Sequence, residues 1–168
     1  MKIFLTGGTG FIGSHFINIA LKCGHDVIAI NRNVKKQRAV DGLVWVFGDL
    51  NGDYRAYLAQ CDVFVHLASY GVIEGSDNLD DYIYWNVEKT YELCKQAYNS
   101  NIKKFIISGS CFEYGKSAER YEFIPATAPL QPVTNYAISK AMASILLSGW
   151  GSSNNVYMNI MRFFNVYG

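Results

Sequence analysis

The sequence predicts an α/β fold, a doubly wound sheet that is mainly parallel. Three observations predict it. Short apolar runs alternate with longer segments of helical period, a glycine-rich turn stands between the first run and the first helical segment, and no internal repeat interrupts the alternation. Because strands that are apolar throughout are buried on both faces, we expect helices to cover both sides of the sheet.

The predicted strands are short and rich in β-branched and aromatic residues, which is typical of buried parallel strands. Six are expected, at residues 3–5, 26–30, 44–47, 63–65, 105–107 and 156–163. In a doubly wound sheet the expected strand order is 3-2-1-4-5-6.

Three segments are expected to be helices. Residues 11–22 follow the glycine turn and end at Gly24, a residue type that commonly ends helices. Residues 79–99 form the second helix and residues 135–148 the third. All three prolines fall within residues 122–134, which we expect to be a loop forming one wall of an active site. The candidate buried positions of the second helix include Tyr82, Trp85, Thr90, Leu93 and Ala97.

Length and composition exclude several classes of protein. The 168 residues are 50% hydrophobic and 17% charged with a net charge of +1, which predicts one globular domain over residues 1–168 and excludes a disordered chain. The charge argues against a nucleic-acid binder, and no apolar run is long enough for a membrane span. The glycine turn interrupts the apolar N-terminus too early for a signal peptide. The four cysteines form no CxxC pair, so no metal site or disulfide framework is expected, and a cytoplasmic location fits best.

Residues 7–13 read GGTGFIG and satisfy both GxxGxxG and GxGxxG. Glycines allow a tight turn and close backbone approach, while the helix N-terminus offers free N–H groups to a pyrophosphate. Between a strand and a helix, the motif predicts a Rossmann-type dinucleotide site rather than a purely structural turn. Ser14 stands where a P-loop NTPase has its lysine, which excludes that class. The candidate cofactor contacts here are Gly7, Gly10, Phe11, Ile12 and Gly13.

The end of the second strand selects between NAD and NADP. An acidic residue there binds the ribose hydroxyls of NAD, and a basic one accommodates the phosphate of NADP. The sequence has Asn31 and Arg32 at this place and no acid, and Arg32 offers a planar fork of donors to a phosphate. Lys35, Lys36 and Arg38 follow, although these cations could equally form a solvated loop. NADP is therefore the expected cofactor, with NAD as the alternative.

Tyr136 and Lys140 lie four residues apart, on one side of the predicted third helix. A tyrosine with an ordinary pKa is a poor acid–base, but a neighbouring lysine together with a nicotinamide cation would favour the phenolate. Taken alone, the two residues would be interpreted as an exposed helical pair. Ser110 favours a catalytic site instead, because it follows the fifth strand, where its hydroxyl can hold a substrate carbonyl or alcohol. Ser110, Tyr136 and Lys140 are the predicted catalytic residues.

Seven segments along the chain together resemble the extended short-chain dehydrogenase/reductase family of nucleotide-sugar epimerases, dehydratases and reductases. The resemblance covers the whole chain. The segments occur in one order, at residues 6–13, 48–50, 66–68, 86–87, 110–115, 136–140 and 162–168.

The resemblance implies further cofactor contacts. Asp49 and Leu50 would lie at the adenine, although Asp49 could also be a turn residue. Leu67, Ala68 and Ser69 would lie along the cofactor.

The same resemblance implies the roles at the reacting end. Tyr136 would be the acid–base, Lys140 would bind the nicotinamide ribose and tune Tyr136, and Ser110 would orient the reacting oxygen. Phe164 would line the nicotinamide pocket, and Asn165 would contact the sugar nucleotide. The expected substrate contacts are therefore Ser110, Tyr136 and Asn165.

The sequence also departs from part of the family pattern. Members that remove water across C5 and C6 of a sugar carry an Asp-Glu pair directly after the catalytic serine or threonine. Cys111 and Phe112 stand there, with Glu113 one place too late, which argues against a 4,6-dehydratase. Residues 110–115 are more similar to reductases that make 6-deoxy sugars. Cys111 and His66 are expected to be packing residues rather than reactive ones.

These points predict an NADP-dependent reductase of a nucleotide-linked 4-keto-6-deoxyhexose. An NAD-dependent 4-epimerase is the alternative within the family, and a non-catalytic NAD(P)-sensing module is the alternative from another class.

Members of the family continue past the sixth strand into a smaller lobe that holds the nucleotide sugar. Since the sequence ends at Gly168, that substrate lobe is expected to be missing.

The resemblance also implies a homodimer, through the helices that start near Leu79 and Asn135. An apolar stripe on the third helix fits such an interface, but it fits packing on the sheet equally well. The stripe consists of Ile138, Met142, Ile145 and Leu146.

Overall fold

The computed structural model describes residues 1–33, 40–72 and 78–167. Within these ranges six parallel strands form one sheet in the order β3-β2-β1-β4-β5-β6. The strands are β1 Lys2–Thr6, β2 Asp26–Asn31, β3 Leu43–Phe47, β4 Val63–His66, β5 Lys104–Ser110 and β6 Tyr157–Phe163. The predicted α/β fold and strand order are confirmed.

Helices connect the strands. They are α1 Phe11–Lys22, α2 Arg55–Leu58, α3 Leu79–Ile83, α4 Lys89–Asn99 and α5 Asn135–Ser153. A π-helical segment, Tyr84–Glu88, joins α3 to α4, so the predicted second helix is present but changes its winding in the middle. Two 3-10 turns, Cys111–Glu113 and Lys116–Arg120, follow β5. The sequence pattern did not predict α2, which is a single turn.

The sheet has a separate core on each face. Neighbouring strand residues point to opposite faces, so Phe4 and Leu5 of β1 belong to different cores. Helices α2, α4 and α5 cover the first face, and α1 covers part of the second. The first core includes Phe4, Leu58, Phe64, Leu93, Phe105 and Leu147, and the second includes Leu5, Ile17, Ala20, Val27 and Val65.

Helix α5 is longer than the sequence predicts, because it continues past residue 148 to Ser153. Trp150 holds this extension in place by packing against three aromatic rings at centroid distances of 5.6–6.0 Å, those of Tyr91, Tyr98 and Phe105. Gly151 lets β6 approach, since a Cβ at this position would lie 2.9 Å from the Cβ of Met158. Tertiary contacts therefore outweigh the low helix propensity of glycine here.

The order of the strands places a topological switch between β1 and β4. The chain builds β2 and β3 on one side of β1 and then crosses to β4 on the other side. Thr6 and His66 pair at the carboxyl ends of these two strands. In open α/β sheets, ligands bind in the crevice outside such a switch point.

Three findings concern membranes, cysteines and metals. Among the described residues, no helix is long and apolar enough to cross a membrane. All four cysteines are free thiols. Over the same part of the chain, no three His, Cys, Asp or Glu side chains are grouped so that they could hold a metal ion.

Candidate active site

A cavity of about 790 Å³ opens at the carboxyl ends of the strands. Residues from the ends of β1, β2, β4, β5 and β6 line it, together with the start of α1 and of α5. Asn31 and Lys140 do not line it. The lining residues that the sequence predicted are Gly7, Gly10, Phe11, Ile12, Gly13, Arg32, Asp49, Leu50, Leu67, Ala68, Ser69, Ser110, Tyr136, Phe164 and Asn165.

The glycine turn connects β1 to α1 by close backbone approach. Gly7 has a φ of +74°, and a Cβ there would lie 2.5 Å from the backbone N of Ala68. A Cβ at Gly13 would lie 2.1 Å from the carbonyl O of Gly7. Helix α1 has no side-chain cap, and the N–H groups of its first turn have no acceptor within the helix. This end of the cavity therefore offers N–H donors and a positive dipole end to an anionic group such as a pyrophosphate.

Ser108 is a site residue that sequence reasoning missed. It lines the cavity two residues before Ser110, and the two side chains point to the same face of the sheet. Its hydroxyl is the one buried side-chain polar atom without a hydrogen-bond partner in the described part of the chain. Because buried polar atoms are normally paired, this hydroxyl fits a polar ligand in the cavity. No sequence motif distinguished Ser108 from a packing residue.

Ser110 and Tyr136 meet at the other end of the cavity. Ser110 ends β5, and its hydroxyl accepts a hydrogen bond from the backbone N–H of Phe112 at 3.2 Å. Tyr136 lies in the first turn of α5, with the ring of Phe112 edge-on to it. Burial raises the pKa of Tyr136, and hydrogen bonding with Ser69 and Ser110 opposes that rise. The structure thus brings a phenol and a hydroxyl together, as the sequence predicts.

Lys140 lies one turn further along α5 and is only 4% exposed. Burial lowers its pKa to about 8, and the carboxylate of Glu113 opposes this change. The expectation that Lys140 and a nicotinamide cation together favour the phenolate of Tyr136 stays a prediction, and among the groups of the protein burial raises the pKa of Tyr136. Lys140 lies behind the cavity wall, since it does not line the cavity itself.

The sequence signature of the NAD dependent epimerase/dehydratase family matches residues 3–168. The chain belongs to this family. It is 27% identical over 177 residues to a UDP-glucose 4-epimerase of Lactobacillus helveticus, covering 100% of this chain and 52% of the relative. A dTDP-D-glucose 4,6-dehydratase of Mus musculus is also 27% identical, over 99% of this chain and 51% of its own. The chain spans about half the length of the curated relatives it matches.

Solved structures of the family share the fold. The UDP-glucuronic acid 4-epimerase of Bacillus cereus, in complex with NAD, superposes with a TM-score of 0.86 at 25% identity. The match covers 100% of this chain and 57% of that chain. The resemblance that the sequence motifs indicate is confirmed.

The two residues at the end of β2 have different environments. Asn31 is buried, and its side-chain oxygen accepts a hydrogen bond from the backbone N–H of Asn33 at 2.9 Å. It shapes the turn rather than the cavity wall, which differs from the expected cofactor contact. Arg32 is exposed and lines the cavity. Lys35, Lys36 and Arg38 lie outside the described residues.

Asn86 is a second residue that sequence reasoning did not assign, although it lies in a family segment. The π-helical segment turns it inward, where its side chain accepts from the backbone N–H of Tyr70 at 2.8 Å and donates to the carbonyl O of Tyr70 at 3.1 Å. It also donates to the hydroxyl of Ser139 at 3.0 Å. Asn86 therefore ties the cavity-lining loop after β4 to α5. Such π-helical segments often occur at functional sites.

His66 is held between two threonines. Its Nδ1 lies 2.8 Å from the hydroxyl of Thr6, and its Nε2 lies 3.0 Å from the hydroxyl of Thr90. Burial lowers its pKa to about 3, with the charge of Lys140 contributing in the same direction. A fully buried neutral imidazole with both nitrogens engaged agrees with the expected packing role.

Two expectations about the neighbourhood of Ser110 need correction. Cys111 is half-buried and lines the cavity, so it is not the buried packing residue expected, although burial raises the pKa of its thiol, which agrees with an unreactive cysteine. Residues 122–134 form the expected loop but do not line the cavity. The loop packs behind the end of β6, where the carbonyl O of Ala126 accepts from Nη1 of Arg162 at 3.3 Å. The cavity wall here comes instead from β6 and the residues after it, including Phe164 and Asn165.

Proposed function

We propose that this chain binds NAD(P) in the cavity and carries the acid–base residues for oxidoreduction at a carbon of a nucleotide-linked sugar. One observation carries the proposal. A single cavity has the glycine turn and the start of α1 at one end and Ser110 with Tyr136 at the other. The names of the relatives and the NAD complex of the Bacillus cereus enzyme support the same class of chemistry.

The cavity residues fit such a cofactor. The glycines leave a cradle that a Cβ would fill, and the first turn of α1 offers donors to a pyrophosphate. We assign Asp49 and Leu50 to the adenine end. Leu67, Ala68 and Ser69 line the middle of the cavity, on the strand β4 side of the switch point. When bound, the nicotinamide gives or accepts the hydride.

Three side chains act at the end of the cavity where the reaction takes place. Ser110 holds the reacting oxygen by a hydrogen bond. Tyr136 donates the proton to that oxygen in the direction of reduction, and the positive charge of Lys140 would oppose the rise in the pKa of the phenol that burial causes. Lys140 supplies a buried positive charge one turn away, from behind the cavity wall, so the expected contact with the cofactor ribose is not part of this proposal. Phe164 and Asn165 complete the wall at the nicotinamide and the sugar.

We propose reduction of a 4-keto-6-deoxyhexose, with NADP as the cofactor. Arg32 carries the choice of cofactor, because it is an exposed cation in the cavity wall at the end of β2, and no acid stands there. Cys111 and Phe112 leave the positions after Ser110 without an acid or a base for dehydration.

A 4-epimerase is the second candidate, favoured by the relatives named UDP-glucose 4-epimerase and by NAD in the solved relative. An epimerase of this kind oxidises C4 and reduces the other face of the same sugar. It therefore retains its cofactor, whereas a reductase exchanges it in every turnover.

The absorbance of reduced nicotinamide separates the candidates. When the chain is mixed with NADPH and a nucleotide-linked 4-keto-6-deoxyhexose, NADPH should be oxidised and its absorbance should fall. Tyr136→Phe should bind NADPH without oxidising it. Conversion of UDP-glucose into its C4 epimer by the purified chain with its retained cofactor, without net change of the absorbance, would instead establish the epimerase. Binding of cofactor with no change for either sugar would favour the non-catalytic NAD(P)-sensing module.

We also propose that two copies of the chain pair through the segment that begins with α3 and through α5. Met142, Ile145 and Leu146 of α5 are all exposed. Packing on the sheet therefore does not account for these three residues, which leaves the interface as the proposed explanation.

A further inference from the structure

Glu113 is a carboxylate with no exposed surface, three residues after Ser110. Burying an ionised carboxylate is costly unless it is paired and hydrogen-bonded. Glu113 has three donors. The backbone N–H of Ser110 lies 2.8 Å from its Oε1, the hydroxyl of Ser144 lies 2.8 Å from its Oε2, and Nε of Arg162 lies 2.7 Å from the same oxygen.

The three donors come from three different elements. Ser110 ends β5, Ser144 lies in α5, and Arg162 lies in β6 just before the residues that line the cavity. Ser144 stands four residues after Lys140 and eight after Tyr136, so the three side chains share one face of α5. One buried carboxylate therefore joins the elements that carry the candidate catalytic residues.

Gly109 makes room for this carboxylate. A Cβ at Gly109 would lie 2.8 Å from Oε1 of Glu113 and 3.0 Å from Cγ of Arg162. Glycine in the interior of a strand often marks a place where another group must approach the backbone closely. Gly109, directly before Ser110, therefore leaves the space that the side chain of Glu113, three residues after Ser110, occupies.

Glu113 also acts on the charges of the site. Burial lowers the pKa of Lys140, and the carboxylate of Glu113, on the turn after β5, opposes that change. His66 of β4 faces Lys140 from another side as a neutral imidazole. The same carboxylate adds to the rise in the pKa of Tyr136, as the thiol of Cys111 does.

We propose that Glu113 is a positioning residue of this site: its carboxylate fixes Ser110 through the backbone amide and, bound to Ser144, places a negative charge one turn from Lys140 on the same face of α5. The proposal rests on the proposed function for the chemistry that Ser110, Tyr136 and Lys140 perform. Its test needs no turnover and no ligand, because it concerns the charge of Lys140 in the chain alone.

The test measures the pKa of Lys140 by NMR on chain labelled with ¹³C at lysine Cε, with the Lys140 signal assigned by its loss in Lys140→Arg. Glu113→Gln keeps the shape of the side chain and removes its charge. We expect the pKa of Lys140 to fall further below about 8, because burial is then unopposed. Glu119→Gln, which removes an exposed carboxylate from the next turn, should leave that pKa unchanged.

Two results would overturn the proposal. If Glu113 only holds the fold together, its loss lets water reach Lys140, and the pKa rises towards 10.5. An unchanged pKa in folded Glu113→Gln would show that the carboxylate does not hold the charge of Lys140. Failure of the proposed function would appear separately, as a wild-type chain that binds neither NADPH nor NADH.

Glu113→Gln leaves the guanidinium of Arg162 partly buried without its carboxylate, which can prevent folding. The double variant Glu113→Gln/Arg162→Met removes both charges and replaces a buried pair by neutral groups of similar size, a change that folds often tolerate. We expect the pKa of Lys140 in this variant to lie below its value in Arg162→Met, which removes the same cation and keeps the carboxylate. A folded double variant whose Lys140 pKa equals or exceeds that of Arg162→Met would contradict the proposal.

Discussion

At the scale of single residues, Lys140 shows a conflict between stability and function. Burial lowers its pKa from 10.5 to about 8. Between these values the unfolded chain binds more protons than the folded one, so the free energy of unfolding rises with pH across this range. At neutral pH the buried charge therefore destabilises the fold, by on the order of 3 kcal/mol.

Lys140→Met should consequently raise the free energy of unfolding at pH 7 by about 3 kcal/mol. The advantage over the wild type should shrink as the pH rises from about 8 towards 10.5, where the lysine loses its charge in both states. Urea unfolding at several pH values measures both effects.

The exposed Lys95 of α4 provides the matched control, and Lys95→Met should change stability little at any of these pH values. A Lys140→Met variant that is less stable than the wild type at pH 7 would show that contacts of the ammonium group outweigh its desolvation.

At the scale of elements, the turn between β1 and α1 depends on glycine for close approach. The Cβ of alanine at position 13 would lie 2.1 Å from the carbonyl O of Gly7, which is backbone and cannot move aside alone. Gly149, in the interior of α5, has no atom within 4 Å of the place where its Cβ would stand.

These two glycines predict opposite effects of one substitution. Gly13→Ala should lower the free energy of unfolding by about 2 kcal/mol or more and weaken dinucleotide binding, because α1 must move away from β1. Gly149→Ala should raise it by about 1 kcal/mol through helix propensity. Thermal unfolding of both variants tests the pair. Gly13→Ala with unchanged stability and unchanged cofactor affinity would contradict the role assigned to the turn.

The elements also show how far a sequence can predict this fold. The strands and the glycine turn are visible because each depends on neighbouring residues, namely apolar runs and a motif of fixed spacing. The extension of α5 depends on Trp150, whose partners lie about 40 to 60 residues earlier in the chain. No local pattern reports such contacts, and the low propensity of glycine points the other way.

The residues of the candidate site also divide into those that a local motif predicts and those that depend on contacts with distant parts of the chain. Ser110, Tyr136 and the residues of the glycine turn were predicted because their motifs have fixed spacing. Glu113 was noticed only as an acid one position too late for dehydration. The role proposed for it depends on contacts with Ser144 and Arg162, which lie 31 and 49 residues further along the chain.

At the scale of the whole molecule, one face of α5 leaves apolar side chains in contact with solvent. Ile145 is 65% exposed, and Met142 and Leu146 are about 40% exposed. We expect this face to be covered by a second copy of the chain. Sedimentation of the wild type should show a dimer, and Ile145→Glu should shift it to monomer without loss of helicity.

The matched control makes the same substitution in α1, outside the proposed interface, where Ile19 is 63% exposed, and Ile19→Glu should leave the dimer unchanged. A wild type that stays monomeric at every concentration tested would remove the proposed interface for this chain.

The most direct test of the proposed function is a calorimetric titration of the chain with NADPH and then with NADH. The cavity, the glycine turn and Arg32 predict that both bind and that NADPH binds about tenfold more tightly, which corresponds to about 1.4 kcal/mol. Tighter binding of NADH would contradict the role of Arg32 and favour the epimerase. A folded chain that binds neither nucleotide would contradict the central claim that this cavity is a dinucleotide site.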